Sequence, residues 1–255
     1  MQLWTPAHVD TLLPALGVML LIGLVLRLTI GNKSYKVRMI PIQIIACVLL
    51  ILEVGKQTVS LQNGYDLYHL PFHFCSLFLF VLPAMAFYRG KHQSKVTCIS
   101  AATCAALFLL MLIYPDLIYS QGNIEQYFTE YLSFHTVTFH NLVMLAFVLI
   151  AMLNLHTPAP KGEQRTLIAF VSAFCVISAS MAHLLETNYA NFYTCNIPAL
   201  EAVRQSIQAS LGYVLTQILY VLILTVLNIL FVLMSYWFYR LLLRLMPARK
   251  SKQLV

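Results

Sequence analysis

Charge is scarce in this chain: only nine acidic and sixteen basic residues occur among 255, and almost none lie inside its long apolar runs. With 10% charged and 60% hydrophobic residues, it falls well outside the composition of soluble domains, about a quarter of which is charged. The six cysteines include no Cys-x-x-Cys pair, so neither a zinc knuckle nor a disulfide scaffold is indicated. No His-Glu-x-x-His run occurs, and the last apolar stretch has no Lys to form a retinal Schiff base. Internal repeats and low-complexity tracts are also missing, and the segments between apolar stretches are too short for a separate soluble domain.

What is there is apolar length. A membrane span needs about 20 mainly apolar residues, and seven stretches qualify: about 9–30, 39–59, 69–88, 96–115, 134–153, 166–186 and 211–238. The expected fold is one all-α membrane domain over residues 1–255, a bundle of seven transmembrane helices. Cytoplasmic loops carry an excess of Lys and Arg. Arg27, Lys33, Lys36, Arg38, Arg89, Lys91, Lys95, Lys161, Arg165, Arg240, Arg244, Arg249, Lys250 and Lys252 all fall on one side of a seven-span arrangement. Opposite them lie Asp10, Asp66, Asp116, Glu125, Glu130, Glu186 and Glu201, with only Arg204. The expected orientation is therefore N-terminus outside and C-terminus cytoplasmic, in a multi-pass protein of the cell membrane. The net charge of +7 is a topology signal and implies no nucleic-acid partner.

The ionisable and polar residues that remain in the apolar stretches cluster in depth. Glu53, Lys56, Gln57, His69, His73, Cys75, His135, His140, His183 and Glu186 lie toward the expected outer ends. Such groups in hydrocarbon cost kilocalories unless paired or lining a wet cavity, so their common depth suggests a polar pocket between helices. At 1.5 Å per residue, Cys75, His140, Glu53 and Gln217 each come out about 9 Å from the ends of their stretches. That is nearer the level of phospholipid esters than the midplane where transporters hold substrate.

Helical phase sharpens the picture. Glu53, Lys56 and Gln57 are spaced i, i+3, i+4 and share a face. His69, His73 and Ser76 would share another, as would His183 and Glu186. Cys75 turns away from His73, since two residues rotate about 200° on a helix; its base should come from another helix. His140 is the deeper fifth-stretch histidine and His135 the alternative. Pro41 and Pro71 are expected at or near first turns, where a missing N–H costs least, and Pro83 should kink the third span.

The segment His69-Leu70-Pro71-Phe72-His73-Phe74-Cys75-Ser76-Leu77 resembles the opening of the third span in YwaF-type bacterial membrane proteins. Phe139-His140-Asn141-Leu142-Val143 is similar to that family's His-bearing fifth span, and Thr187-Asn188-Tyr189 to a pattern after the sixth. Together with the span count, the resemblance covers roughly residues 10–240. Here Asn141 stands where the family pattern has Gly, and His135 is additional. The family has an animal relative, a transmembrane acyltransferase that moves acyl chains onto lyso ether phospholipids. The resemblance thus implies Cys75 as nucleophile and His140 (or His135) as base, acting on a phospholipid or lysophospholipid with no cofactor. Asn141, Asn188 and Gln57 are candidate hydrogen-bond donors to an oxyanion.

Two other readings compete with this lipid acyltransferase or acyl hydrolase. The same polar cluster could hold a small solute in a transporter or substrate-capture subunit. A zinc-dependent membrane hydrolase could use His69 and His73 at i, i+4 with His135, His140 or His183, although no His-Glu-x-x-His run supports a metal.

Overall fold

A computed structural model of the protein describes residues 4–159 and 162–246. Lys161, Arg249, Lys250 and Lys252, which enter the charge argument, lie outside the described residues. Those described are helical with no strand: α1 (Pro6–Ile30), α2 (Tyr35–Gln62), α3 (Phe78–Phe87), α4 (Gln93–Ile113), α5 (Gln121–Glu125), α6 (Tyr131–Met152), α7 (Glu163–Leu184), α8 (Pro198–Leu211) and α9 (Tyr213–Leu245). Six of these, α1, α2, α4, α6, α7 and α9, are long and apolar enough to cross a membrane. The third expected span is different: its continuous helical part is only Cys75–Phe87, about 20 Å at 1.5 Å per residue.

α4 and α6 form the centre. In their most apolar windows 61% and 67% of residues are buried, against 17% in α1 and 11% in α9. α4 packs against α3, α6, α7 and α9, while α2 packs on α3 and α6. Lipid is as apolar as leucine, so close helix approach in a membrane relies on small side chains and packing. The run Ser100-Ala101-Ala102-Thr103-Cys104-Ala105-Ala106 in α4, all buried, supplies that smooth surface. α1 meets α6 closely at Gly23, where an added Cβ would strike Val148 and Met152 side chains. The outward faces of α1 and α9 are strips of exposed Leu, Ile and Val such as Leu21, Leu24, Leu28, Leu222, Ile223 and Leu230, as lipid contact requires.

The chain runs up and down between an acidic-loop end and a basic-loop end. At the first, the His8 ring donates from Nε2 to the Tyr119 carbonyl at 2.9 Å. At the second, Arg38 donates to the carbonyls of Leu153 (2.6 Å) and Asn154 (3.1 Å). α8 was not foreseen. It is amphipathic, with Leu200, Val203, Ile207 and Leu211 exposed, the pattern of a helix lying in an interface plane. Its polar side is fixed by Arg204, which donates to both Glu201 oxygens at 2.6 and 2.8 Å, and by the Cys195 N–H to Glu201 at 3.0 Å. The Arg204 guanidinium holds the Glu201 carboxyl at about 2, below its ordinary value.

Helix starts correct the proline expectations. α2 begins at Tyr35, which puts Pro41 inside the helix rather than in its first turn. Pro71 precedes the third helix altogether, while Pro83 lies inside α3.

Candidate functional site

The third apolar stretch is half irregular, for a local reason. Pro71 has no N–H and disfavours helix at Leu70, and the Phe72 N–H instead reaches the Leu70 carbonyl at 2.8 Å. Only 3-10 turns at Leu67–His69 and Cys75–Leu77 flank this break, and the latter runs directly into α3. Irregular backbone at membrane depth is tolerated where protein groups satisfy it, and here side chains from other segments do so. Gln57 donates to the His69 carbonyl at 2.9 Å, while within the segment itself His73 Nε2 donates to the Tyr68 carbonyl at 3.0 Å. The Tyr189 hydroxyl caps the Leu67 carbonyl and the Ser178 hydroxyl caps that of Phe72. The expected helical face His69–His73–Ser76 therefore does not exist. His69 Nδ1 is 2.7 Å from the Ser60 hydroxyl, the His73 ring packs on Tyr68 and Tyr189, and Ser76 is buried. With the i, i+4 pair gone, the geometry behind a zinc site on His69 and His73 goes too.

Glu53 is the hub of the polar cluster. Lys56 Nζ is 2.8 Å from its Oε1, Gln57 Nε2 donates to the same oxygen at 2.6 Å, and His135 Nε2 lies 3.4 Å from Oε2. The shared face of Glu53, Lys56 and Gln57 is thus realised on α2, with Glu53 and Lys56 side chains each 13% exposed. Tyr65, not anticipated, donates to Gln57 Oε1 at 2.7 Å. Tyr131, also missed, donates to the Leu52 carbonyl at 3.0 Å and fills the space above Gly55, where any Cβ would displace its hydroxyl. A Gly enclosed by an i, i+3 ion pair is ordinary in sequence; only the α2–α6 approach reveals its purpose.

Lys56 also ties in the remaining groups, for its ammonium is within electrostatic range of Cys75, His73 and His140. Cys75 is a free, half-buried thiol that opens the short helix, with the Ser76 hydroxyl within interaction range. His140 is buried on α6, and its Nδ1 lies 2.6 Å from the Thr136 carbonyl. A carbonyl can only accept, so Nδ1 carries the proton and Nε2 bears the lone pair. His135 faces the Glu53 carboxylate instead. The two histidines thus have different environments, as their spacing of five on one helix requires.

Other expected members are occupied elsewhere. Asn188 shapes the 188–196 loop: its Oδ1 accepts from the Tyr193 and Thr194 N–H groups, and its Nδ2 donates to Asn196 at 2.9 Å. Asn141 accepts from the Tyr119 hydroxyl through Oδ1. Gln57 has both N–H groups engaged, by Glu53 and by the His69 carbonyl. His183 and Gln217 contact Tyr193, the former ring to ring at 5.6 Å and the latter through the carbonyl at 3.2 Å. Glu186 follows the end of α7 with φ of 50°, exposed, so it does not share a helical face with His183.

These features define a class: a polytopic helical membrane protein whose broken third apolar segment carries a thiol within electrostatic range of the lysine of an intramembrane ion pair. The chain belongs to the TMEM164 family, whose family model matches residues 3–236. No curated protein and no solved structure matches it.

Proposed function

We propose that this protein is a membrane-embedded lipid acyltransferase or acyl hydrolase with Cys75 as nucleophile and His140 as base. The resemblance to YwaF-type proteins and their acyltransferase relative motivates this reading. The observation that carries it is the placement of a half-buried thiol at the break of the third segment, within electrostatic range of Lys56, which is in turn within range of His140, an imidazole whose Nδ1–H is fixed. In this reading the third segment crosses as extended chain plus half-helix, giving seven spans with the N-terminus outside and the pocket in the outer leaflet of the cell membrane.

Each group has a task. His140 Nε2 takes the Cys75 S–H proton, and the Thr136 carbonyl holding Nδ1–H orients the ring and stabilises the imidazolium. The thiolate attacks the acyl carbonyl of a phospholipid; the ester C–O bond breaks, and the leaving lysolipid oxygen takes the proton back from Nε2. A thioester on Cys75 remains. A lysophospholipid hydroxyl, or water, then gives its proton to Nε2 and attacks the thioester, and the C–S bond breaks to restore the thiol. Of the protein's donors, Lys56 is best suited to the oxyanion or to a phosphate, because its ammonium has three N–H groups and Glu53 does not use them all. Gln57, with both N–H groups engaged, drops out of that role.

The test is lipid mass spectrometry after incubating purified wild type, Cys75→Ala and His140→Ala with diacyl and lysophospholipids. Acyl transfer or release that vanishes in both variants supports the proposal. Turnover that persists in Cys75→Ala overturns the thiol mechanism. The orientation is tested on intact cells: a Cys placed at 116–133 should react with an impermeant reagent, and one at 91–95 only after the membrane is opened.

A further inference from the structure

A second cysteine–histidine–glutamate group lies at the basic-loop end, and each member is more deeply buried than its counterpart in the first. Cys98 is on the second turn of α4, His156 in the connector after α6, and Glu163 is the first residue of α7; they are 0%, 3% and 7% exposed. One donor atom of each, the thiol sulfur, an imidazole nitrogen and a carboxylate oxygen, lies within 4.8 Å of the other two.

The protons around His156 can be assigned. The Thr97 hydroxyl donates to the Ser94 carbonyl at 3.0 Å. It has only one proton, so at 3.1 Å it must accept from His156 Nδ1. In the neutral ring Nε2 is then a bare lone pair, and it faces Glu163 Oε1 at 3.3 Å. Among the described residues neither atom has a hydrogen-bond partner, and both are buried. The other ends of the two residues are anchored: the Tyr236 hydroxyl donates to Glu163 Oε2, and the Tyr239 hydroxyl donates to the His156 carbonyl at 2.6 Å. The nearby Arg240 guanidinium stacks over the Tyr236 and Trp237 rings, 5.7 and 4.9 Å from their centroids. Two lone pairs held face to face in a dry site repel unless something positive lies between them. A proton would satisfy His156 and Glu163 alone, whereas a metal ion also accounts for the convergence of Cys98.

We propose that Cys98, His156 and Glu163 bind a divalent transition-metal ion of the zinc class. A thiolate, a carboxylate and a neutral imidazole sum to two negative charges, which a divalent cation neutralises in a site that could not bear net charge. The mixed sulfur, nitrogen and oxygen set is typical of zinc, and three protein ligands leave a fourth position for water. Thr97 on the imidazole and Tyr236 on the carboxylate are the supporting contacts that orient metal ligands. The ion would clamp the α6–α7 connector to α4, with α9 holding the carboxylate from behind. This site shares no residue with the Cys75 pocket and stands or falls independently of the acyl chemistry.

The test uses the full-length protein purified in detergent with any affinity tag removed. Elemental analysis should find stoichiometric zinc, and chelation should lower the melting temperature. Cobalt added to the stripped protein should give thiolate charge-transfer absorption that disappears in Cys98→Ala and persists in Cys75→Ala and Cys104→Ala. Tyr236→Phe, which keeps all three ligands, should weaken zinc binding about 10- to 100-fold. A stripped wild type that takes up neither zinc nor cobalt and melts as before chelation would overturn the proposal and leave a shared proton between His156 and Glu163. A cobalt–thiolate band retained in Cys98→Ala would overturn it equally.

Discussion

Two ends of this bundle use the same three residue types to different effect. At the acidic-loop end, Glu53 has Lys56, Gln57 and His135 around it, and Cys75 sits half-buried where a helix begins. At the basic-loop end, Glu163 and His156 are anchored from behind, have no positive side chain between them among the described residues, and lie beside a completely buried Cys98. Among the described residues, the first carboxylate has a lysine to neutralise it and the second does not. A built-in cation leaves the thiol beside it available for chemistry, whereas an uncompensated cluster of donors is a place for a cation from outside. Residue type alone does not assign a role; the partners and the access do.

The largest expected effects test the first end. Cys75→Ala should reduce acyl transfer to background while expression and melting stay near wild type, because loss of one thiol leaves only a small cavity. Loss of folding instead would make Cys75 a packing residue. His140→Ala should cost about 10²- to 10⁴-fold in turnover, the usual contribution of a positioned base. His135→Ala should cost less, since its Nε2 faces Glu53 and not the thiol; equal losses would erase the distinction drawn between the two rings.

Stability effects come next. Lys56→Met strands the Glu53 carboxylate and should destabilise by roughly 3 kcal/mol, the lower end for breaking a buried pair, because Gln57 and His135 still face it. Glu53→Gln combined with Lys56→Met should be closer to wild type than Lys56→Met alone. Thermal melts of the four-member cycle in detergent measure this coupling, and additive losses would mean that the two charges are solvated independently. Tyr65→Phe removes one hydrogen bond to Gln57 and should cost only about 1 kcal/mol.

The smallest effect is expected outside the spans, at α8. The Glu201 carboxyl titrates at about 2 in the folded protein against an ordinary 4.5. A lowered value means that its contribution is fully present above 4.5 and is lost as pH falls toward 2. Protease accessibility of the 195–212 segment should therefore stay constant from pH 7 to about 4.5. A rise in cleavage near pH 6 would show that another group holds the helix.

The bundle was legible because apolar length and charge placement are strong, redundant signals. The face of Glu53, Lys56 and Gln57 was legible too, since it depends only on the pitch of a helix that does form. The break at Pro71 was not. The stretch 69–88 has the composition of a span, and its irregular half is stable only because Gln57, Ser178 and Tyr189 satisfy its carbonyls from distant positions. Asn188 read as a pocket donor because its role in the 188–196 loop depends on a turn that sequence spacing does not fix. His156 and Glu163 went unnoticed because each looks like an ordinary loop or helix-start residue; their convergence with Cys98 is purely tertiary. α8 was hidden by its mixed composition, although its apolar residues at 200, 203, 207 and 211 carry the helical period.

The most direct measurement for the acyl reading is intact-protein mass spectrometry after brief incubation with a diacyl phospholipid, without acceptor. The account predicts a mass increase of one acyl group on wild type, located on Cys75, removed by hydroxylamine, slow to form in His140→Ala and absent in Cys75→Ala. An adduct on another residue, or lipid turnover with no adduct and undiminished in Cys75→Ala, would contradict it.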